Sequence, residues 1–544
     1  MVKRILWQAF LVLFVGGILA MLAFGPRPLS AIPPGRVRIT YWEKWNGLEG
    51  QQAQDIVDLF NNTVGKDKNI WVDYVSISEI DRKTLVSTAA GMAPDVSGVW
   101  DKQVCQFASM GALEDLGPMA QKHGLTRAHF KPVFYDGCMY KGKLYALPST
   151  VFSVALIYNK EIFQQKAAEL RAAGLDPDRP PRTMEELDKY AAAIDTWVTK
   201  NGQKHLSVTG FIPLQPGSFT NLYAFWFGGN LVDPTGTKLL LTSPEVEKTY
   251  DWLRGYSVKL GTEALQEFNS GFGQFDSPEN PFLVGENAME QEGPWMAAFI
   301  EKLKPEMNRW HVPPDQLQRE KDFSLLKAGM AREEVAKLLG PGESVAGAGD
   351  KERWLAGIKE IYVTYAGGRA ASMEMKLLPG DVRQKYSQWG AAAFPSAVPG
   401  KENISYAGMD VLVVPSTSKH KEEAYEFIEF MERQENIEKL ASLHCNLSPL
   451  AEHSANYFKD HPNAYADVWE ALAVSPNARP LPMVPNWPQL FDEMTLVADR
   501  SNLLRGSTKE ILTTAQRRCQ MQLNEALNVP ANTNLEAAGN GVEK

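Results

Sequence analysis

From Arg38 onward, stretches with strand character alternate with stretches that have helical periodicity. Three strand candidates come first: RVRITYW at 36–42, IWVDYVSI at 70–77 and PDVSGVW at 94–100. Between the first two, four apolar residues recur at helical spacing: Ala53, Ile56, Val57 and Phe60. A second helix is expected through Leu85 and Ala89. This alternation predicts an α/β protein in which helices pack on sheets.

Later helices carry recognisable start signals. Thr183 followed by Glu186 forms the pattern of a capping box. Ser243 precedes a proline, which suits the first position of a helix. Ser418 precedes a further helical stretch. We therefore expect three helices with side-chain caps at these residues.

The composition is that of a folded protein with more than one domain. The chain has 544 residues, of which 44% are hydrophobic and 22% are charged. This length exceeds the usual limit of a single core, so two or more domains are expected. The net charge of −9 disfavours nucleic acid as a partner.

The N-terminus indicates export. After Lys3 and Arg4, residues 5–24 form an apolar run whose only strongly polar member is Gln8. As a helix this run would be about 30 Å long, enough to cross a bilayer. We predict that 1–37 is a signal or transmembrane segment with a linker, with a retained anchor favoured over a cleaved signal peptide. The body of the protein would then be periplasmic or otherwise extracytoplasmic.

Motifs of known catalytic and metal sites are not found in the sequence. The four cysteines form no CxxC pair, and the histidines lack metal-ligand spacing. Cys105 and Cys138 could form a disulfide or remain buried thiols. We predict no enzyme, no metal and no cofactor. The alternative is an exported carbohydrate-active enzyme that uses paired carboxylates, for which Glu43 and Glu292 are the candidates.

Tryptophans stand beside polar residues at the ends of segments. Trp42 and Trp45 flank Glu43 and Lys44 where the first strand ends. The other examples are Trp226 before a Gly-Gly pair, Trp295 after Glu292-Gly-Pro, and Trp487 between prolines. An aromatic face stacks on the C–H face of a sugar, while carboxylates accept hydrogen bonds from its hydroxyls. Taken together, these residues favour a carbohydrate-binding cleft.

Residues 313–386 have a different character and predict a small inserted α+β unit. FSLLKAGMAREEVAKLLGPG predicts a helix that ends at Gly340, and EIYVTY-AGG-RAASMEMKL predicts a β-hairpin. The unit resembles the small lipoprotein of the outer-membrane β-barrel assembly machinery, whose family pattern has Gly-Met, then Glu-x-Val, then Leu-Leu-Gly-x-Pro-like residues. The corresponding residues here are Gly329-Met330, Glu334-Val335 and Leu338-Leu339-Gly340-Pro341. Such a unit could dock another envelope protein or be a solvent-exposed decoration.

The order of motifs resembles the extracellular solute-binding proteins of ABC sugar importers, the class of maltose-binding protein. The strand with Trp42 is followed by AAGMAPDVSGVW, GKLYALP, LIYNKEIF, PRTMEELDKYA, FLVGENAMEQEGPW and FPSAVPG…YAGMDVLVVPSTSKHKEEAYEFIEFM. The stretch LLRGSTKEILTTAQRRCQMQLNEAL is similar to the closing helix of this class. The resemblance covers 38–305 and 388–530.

This resemblance implies a type II periplasmic-binding-protein fold with two lobes, a hinge and a ligand between the lobes. Lobe one would comprise 38–149 and 396–445, lobe two 150–308, 386–395 and 446–530, with the insert at 313–386 and a flexible tail at 531–544. The N-terminal hydrophobic helix would precede lobe one.

The resemblance also implies the site and the partners. The expected ligand-binding residues are Trp42, Glu43, Trp45, Asp101, Trp226, Glu292, Trp295, Gly408 and Trp487. The ligand would be a small carbohydrate or related polyol, delivered unchanged to ABC permease subunits in the membrane. A monomer is expected.

Overall fold

The computed structural model describes residues 32–273 and 276–528. The strands are β1 Val37–Glu43, β2 Ile70–Ser76, β3 Val96–Trp100, β4 Met139–Tyr140, β5 Lys143–Leu144, β6 Leu147–Ser153, β7 Ala155–Asn159, β8 Thr196–Lys200, β9 Gln203–Phe211, β10 Asn287–Glu292, β11 Glu343–Ser344, β12 Lys351–Ala356, β13 Lys359–Ala366, β14 Arg369–Leu377, β15 Trp389–Ala392, β16 Ser405–Val413 and β17 Ala478–Arg479.

Helices occur throughout the described chain. They are α1 Gly47–Asn62, α2 Val64–Asp67, α3 Ile80–Ala89, α4 Asp101–Ser109, α5 Gly117–Lys122, α6 Pro132–Gly137, α7 Lys160–Gln165, α8 Ala167–Ala172, α9 Met184–Ile194, α10 Pro244–Leu260, α11 Thr262–Ser270, α12 Met296–Leu303, α13 Pro314–Asp322, α14 Arg332–Leu339, α15 Gly380–Arg383, α16 Lys421–Met431, α17 Gln434–Leu443, α18 Tyr457–Asp460, α19 Ala466–Ala473, α20 Trp487–Asn502 and α21 Thr508–Ala526, with a short 3₁₀ helix at Tyr223–Phe227.

The first lobe is built on a six-stranded sheet in the order β17–β16–β3–β1–β2, with β6 also paired to β16. β1 runs parallel to both β2 and β3, while β16 is antiparallel to β3. The apolar face predicted for α1 is fully buried. The first three predicted strands and the predicted α1 and α3 are therefore confirmed.

The second lobe is built on a five-stranded sheet in the order β15–β7–β10–β9–β8. Most of the buried residues around this sheet form a second core, whereas Ala155, Ile157 and Trp389 of its strands pack in the first core. The chain changes sheets between β6 and β7, because β6 pairs with β16 and β7 pairs with β10. β6 thus crosses the predicted lobe boundary at 149/150, and Trp469 of the predicted lobe two packs in the first core. The mixed α/β fold with two lobes agrees with the sequence prediction.

A third, antiparallel sheet in the order β11–β12–β13–β14 forms an inserted unit with its own core. Trp354, Ile361 and Val363 of the sheet pack in that core with Val335 and Leu339 of α14. The predicted hairpin is confirmed as β13 and β14. The predicted helix is shorter than expected: it covers only α14, because Gly329 before it has a φ of +88°.

The three predicted caps are only partly correct. Thr183 Oγ1 accepts a hydrogen bond from the Glu186 N–H at 3.1 Å, but the Glu186 carboxylate bonds to Arg179 at 2.8 Å instead of closing the box. α10 begins at Pro244 as predicted, yet the Ser243 hydroxyl makes no cap bond. Ser418 donates to Asp95 at 2.8 Å, and α16 begins three residues later. Other side chains compete with local capping at Thr183 and Ser418, whereas the Ser243 hydroxyl has no hydrogen-bond partner among the described residues.

Among the residues that the structure describes, no helix is long and apolar enough to span a membrane. The predicted N-terminal hydrophobic helix and the predicted tail at 531–544 lie outside the described residues. All four cysteines are buried and free, so Cys105 and Cys138 are not paired in this structure.

Candidate functional site

The end of β1 places a carboxylate inside the first lobe. Strand alternation directs Ile39, Tyr41 and Glu43 to the same buried face, and Glu43 is 0% exposed. The Tyr41 hydroxyl donates to Glu43 Oε2 at 2.8 Å, and the Lys44 N–H donates to Oε1 at 2.8 Å. Burial raises the pKa of the Glu43 carboxyl, although Lys44 opposes this shift. The Glu43 side chain is therefore held in one position by hydrogen bonds, and the charge of Lys44 partly balances that of its carboxylate.

The ammonium group of Lys44 lies close to two carboxylates and to two tryptophan rings. Its Nζ lies 3.1 Å from Glu43 Oε1 and 2.8 Å from Asp410 Oδ1. The same atom lies 5.0 Å from the ring centre of Trp45 and 5.3 Å from that of Trp100. Burial alone would lower the pKa of Lys44, but the carboxylates of Asp410 and Glu43 raise it. Lys44 thus stays charged and holds these groups together.

Trp45 also contacts a neutral histidine. Its ring meets the imidazole of His444 edge-on, with ring centres 4.5 Å apart. Burial lowers the pKa of His444 to about 4, so the ring carries no charge near neutral pH. Trp45 itself is buried, and Trp42 is half-buried against the first core.

Asp101 is the first residue of α4, directly after β3. The Tyr406 hydroxyl donates to Asp101 Oδ2 at 2.9 Å. Burial raises the pKa of Asp101 to about 7. The next residue, Lys102, lies over Trp100 and over Phe491 of α20, with its Nζ 4.7 Å from the Phe491 ring centre. The end of β3 therefore meets the helices of the other lobe here.

Four aromatic rings, hereafter the aromatic cluster, meet where the two lobes join: Phe152, Phe219, Trp295 and Tyr406. Phe152 lies 4.9 Å from Trp295 and 5.5 Å from Tyr406 between ring centres. Phe219 lies 6.4 Å from Trp295 and 6.2 Å from Tyr406. The sheet of the first lobe supplies Phe152 and Tyr406, whereas Trp295 follows a strand of the second sheet.

Gly408 provides room for this cluster. A Cβ at this position would lie 2.4 Å from the ring of Phe152 and 2.6 Å from that of Tyr406. Any larger residue would displace one of the two rings. Gly408 therefore shapes the site through the rings beside it.

Glu292 ends β10 and is 1% exposed. Its Oε1 accepts the Gly293 N–H at 2.9 Å, and the Trp295 side chain also acts on the carboxyl group. Burial raises the pKa of Glu292 to about 7. Trp295 follows three residues later at the N-terminus of α12. The carboxyl and the ring thus share one turn at the edge of the second sheet.

The structure brings most of the predicted residues to the junction of the lobes, but not all. Trp226 packs against Tyr223 and Phe394 inside the second core. Trp487 is also buried in that core. The indole nitrogens of both have no hydrogen-bond partner among the described residues. Their place in a ligand site remains a prediction.

Several residues of the junction were missed by the sequence analysis: Lys44, Phe152, Phe219, Tyr406, Asp410 and His444. Phe152 and Tyr406 lie in apolar strands and read as core residues. Among these residues, Asp410 was the easiest to recognise from the sequence, because a carboxylate within the buried strand β16 needs a polar partner. Thr150 supplies one partner, donating to Asp410 Oδ2 at 2.9 Å. Among the described residues, no cluster suited to hold a metal is found.

Residues 44–438 match the family model of bacterial extracellular solute-binding proteins, which is most of the chain. The chain belongs to this family. Family membership confirms the resemblance inferred from the order of motifs and implies a location outside the cytoplasm.

The chain is also similar to sugar-binding and glycerol-phosphate-binding proteins. The chain is 22% identical over 271 residues to the maltotriose-binding protein of Pyrococcus abyssi, covering 50% of this chain and 53% of the relative. It is 24% identical over 266 residues to the sn-glycerol-3-phosphate-binding periplasmic protein UgpB of Pectobacterium atrosepticum, covering 48% and 56%. The chain thus spans about half the length of these curated relatives.

The fold agrees with a solved structure of CpMnBP1 with mannobiose bound. The TM-score is 0.64 at 22% identity, and the match covers 89% of this chain and 99% of that chain. This similarity supports the predicted two-lobe fold.

Proposed function

We propose that this protein is the extracytoplasmic solute-binding component of an ABC importer and binds a sugar or related polyol between its lobes. The main observation that supports the proposal is the aromatic cluster at the junction of the lobes. The hydroxyl of its Tyr406 donates a hydrogen bond to Asp101. Rings can stack on a sugar, and carboxylates can accept bonds from its hydroxyls. Closure of the lobes around the sugar would create the surface that a permease recognises.

The charges favour a neutral sugar over a glycerol phosphate. Four carboxyl groups lie at or near the junction: Glu43, Asp101, Glu292 and Asp410. Of the cations beside them, Lys44 is engaged by Glu43 and Asp410, and Lys102 lies over the rings of Trp100 and Phe491. A phosphate here would meet more carboxyl groups than cations. The proposal therefore follows the sugar-binding relatives rather than the glycerol-phosphate-binding one.

We propose that the protein acts as a monomer, without turnover, and delivers its sugar to permease subunits in the membrane. We further propose the lobe limits and the insert at 313–386 inferred from the sequence, except that β6 and Trp469 belong with the first lobe. Attachment through the segment 1–37 remains part of the proposal. Shortening of a bound sugar would instead favour the enzyme with paired carboxylates.

The test is a calorimetric titration of the protein with mono- and oligosaccharides, polyols and glycerol 3-phosphate. We expect saturable binding of one sugar class, recovered intact. Trp295→Ala should weaken it at least about tenfold, a loss of about 1.4 kcal/mol, because a stacking ring is removed. Trp197→Ala is the matched control, since Trp197 is 39% exposed on β8. Binding of glycerol 3-phosphate alone, or equal effects of the two variants, would contradict the proposal.

A further inference from the structure

A cavity of about 400 Å³ lies between the inserted sheet and the lobes. Its walls are mainly apolar and include Ala298 of α12, Ile358 and Leu377 of the insert, Trp389, Leu443 and Pro462. Among the described residues that line it, none is one of the nine predicted sugar contacts. Its size and its position between structural units are typical of small-molecule sites.

Arg383 is a buried cation in the wall of this cavity. Its side chain is 4% exposed, and it donates to the carbonyls of Leu378 at 2.7 Å, Pro462 at 2.6 Å and His461 at 2.5 Å. A guanidinium has five N–H donors, so two remain. Within the described residues, no carboxylate forms an ion pair with it; Glu301 and Asp460 act from farther away. A buried charge without a counter-ion is costly and favours an incoming anion.

The other charged side chains at the cavity leave the balance positive. Glu301 is engaged by Arg309 at 2.8 Å, and Lys359 is engaged by Glu320 at 2.7 Å. These two lining residues therefore have their charges balanced by neighbours. Arg383 and the exposed Lys302 of α12 add two positive charges. The field in the cavity thus attracts an anion.

We propose that this cavity is a second binding site, for a small amphipathic carboxylate whose apolar body lies against Ile358 and Leu377 and whose carboxylate accepts from Arg383. The apolar walls offer few partners for sugar hydroxyls, which separates this ligand class from that of the cleft. The planar guanidinium fork matches a carboxylate. The inserted sheet thereby gains a role, as it supplies one wall of the site.

The test uses octanoate as the probe on the full chain, with 1-octanol and octylamine as matched neutral and cationic probes. We expect calorimetry to report saturable binding of octanoate at one site, at least tenfold weaker binding of octanol, and no binding of octylamine. Equal affinities for octanoate and octanol would overturn the role of Arg383. No binding of octanoate at all would overturn the site.

Variants locate the bound probe. Ala298→Phe should fill the cavity and abolish octanoate binding, while sugar binding is retained. Ala336→Phe, on an exposed position of α14, is the matched control and should bind octanoate as the unmodified protein does. Unchanged octanoate binding in Ala298→Phe would overturn the proposal. The proposed sugar function is tested by a separate titration, so failure of either inference can be recognised independently.

Discussion

At the scale of single residues, the first lobe depends on a glycine that makes space for a buried acid. A Cβ on Gly98 of β3 would lie 1.6 Å from Glu43 Oε2. We expect Gly98→Ala to lower the free energy of unfolding by about 1–3 kcal/mol, because overpacking forces the carboxylate away from its partners. Urea denaturation measures the change.

Gly255 on α10 supplies the control for this prediction, because an added Cβ there meets nothing within 4 Å. Gly255→Ala should stabilise the protein by about 0.5–1 kcal/mol through helix propensity. If Gly98→Ala were as stable as Gly255→Ala, the Glu43 carboxylate would not need the position that the structure gives it.

A second residue-scale prediction concerns the pH dependence that Glu292 confers. Its pKa is raised from 4.5 to about 7 by burial, so the folded state binds its proton more tightly than the unfolded state. The sign follows from linkage: stability is highest below pH 4.5 and falls as the pH rises to about 7. The difference between these two pKa values corresponds to a change of about 3 kcal/mol in the free energy of unfolding.

The Glu292→Gln variant isolates this contribution. We expect the stability of the original protein relative to the variant to fall by up to about 3 kcal/mol between pH 4.5 and 7. Denaturant melts at several pH values provide the measurement. Parallel stability profiles for the two proteins would mean that Glu292 is ionised in the folded state across this range.

At the scale of secondary-structure elements, local sequence patterns predicted several strands and helices correctly. Side chains that compete for the same hydrogen bonds explain why a predicted cap failed. Strand character and helical spacing located β1, β2, β3 and α1. β1 and α1 bury one apolar face, whereas β3 is buried on both faces. The capping box at Thr183 was only half correct, since Arg179 draws the Glu186 carboxylate away. Sequence spacing cannot reveal such a partner.

The candidate site was partly predictable for the same physical reason. Glu43 and Trp295 stand at strand ends beside turn residues, so their chemistry is visible in the sequence. Phe152 and Tyr406 lie within buried strands and look like core. They meet only because β6 pairs with β16, a contact between segments about 250 residues apart. Long-range pairing of this kind has no local signal.

At the scale of the whole molecule, the two proposed sites share structural walls. α12, which carries Ala298 in the cavity wall, begins directly after Trp295 of the aromatic cluster. Leu443, also in the cavity wall, precedes His444, whose ring packs on Trp45. A ligand in the cavity would therefore hold α12 and His444 in place and pre-organise the walls of the junction for the sugar.

This connection predicts reciprocal coupling between the sites, resting on both proposals. Saturating octanoate should tighten sugar binding by about fivefold or more, and sugar should tighten octanoate binding by the same factor. Calorimetric titrations with and without the second ligand measure both factors. In Ala298→Phe the coupling should vanish while sugar still binds, because only the cavity is filled. Equal sugar affinities in the presence and absence of octanoate would show that the two sites are energetically independent.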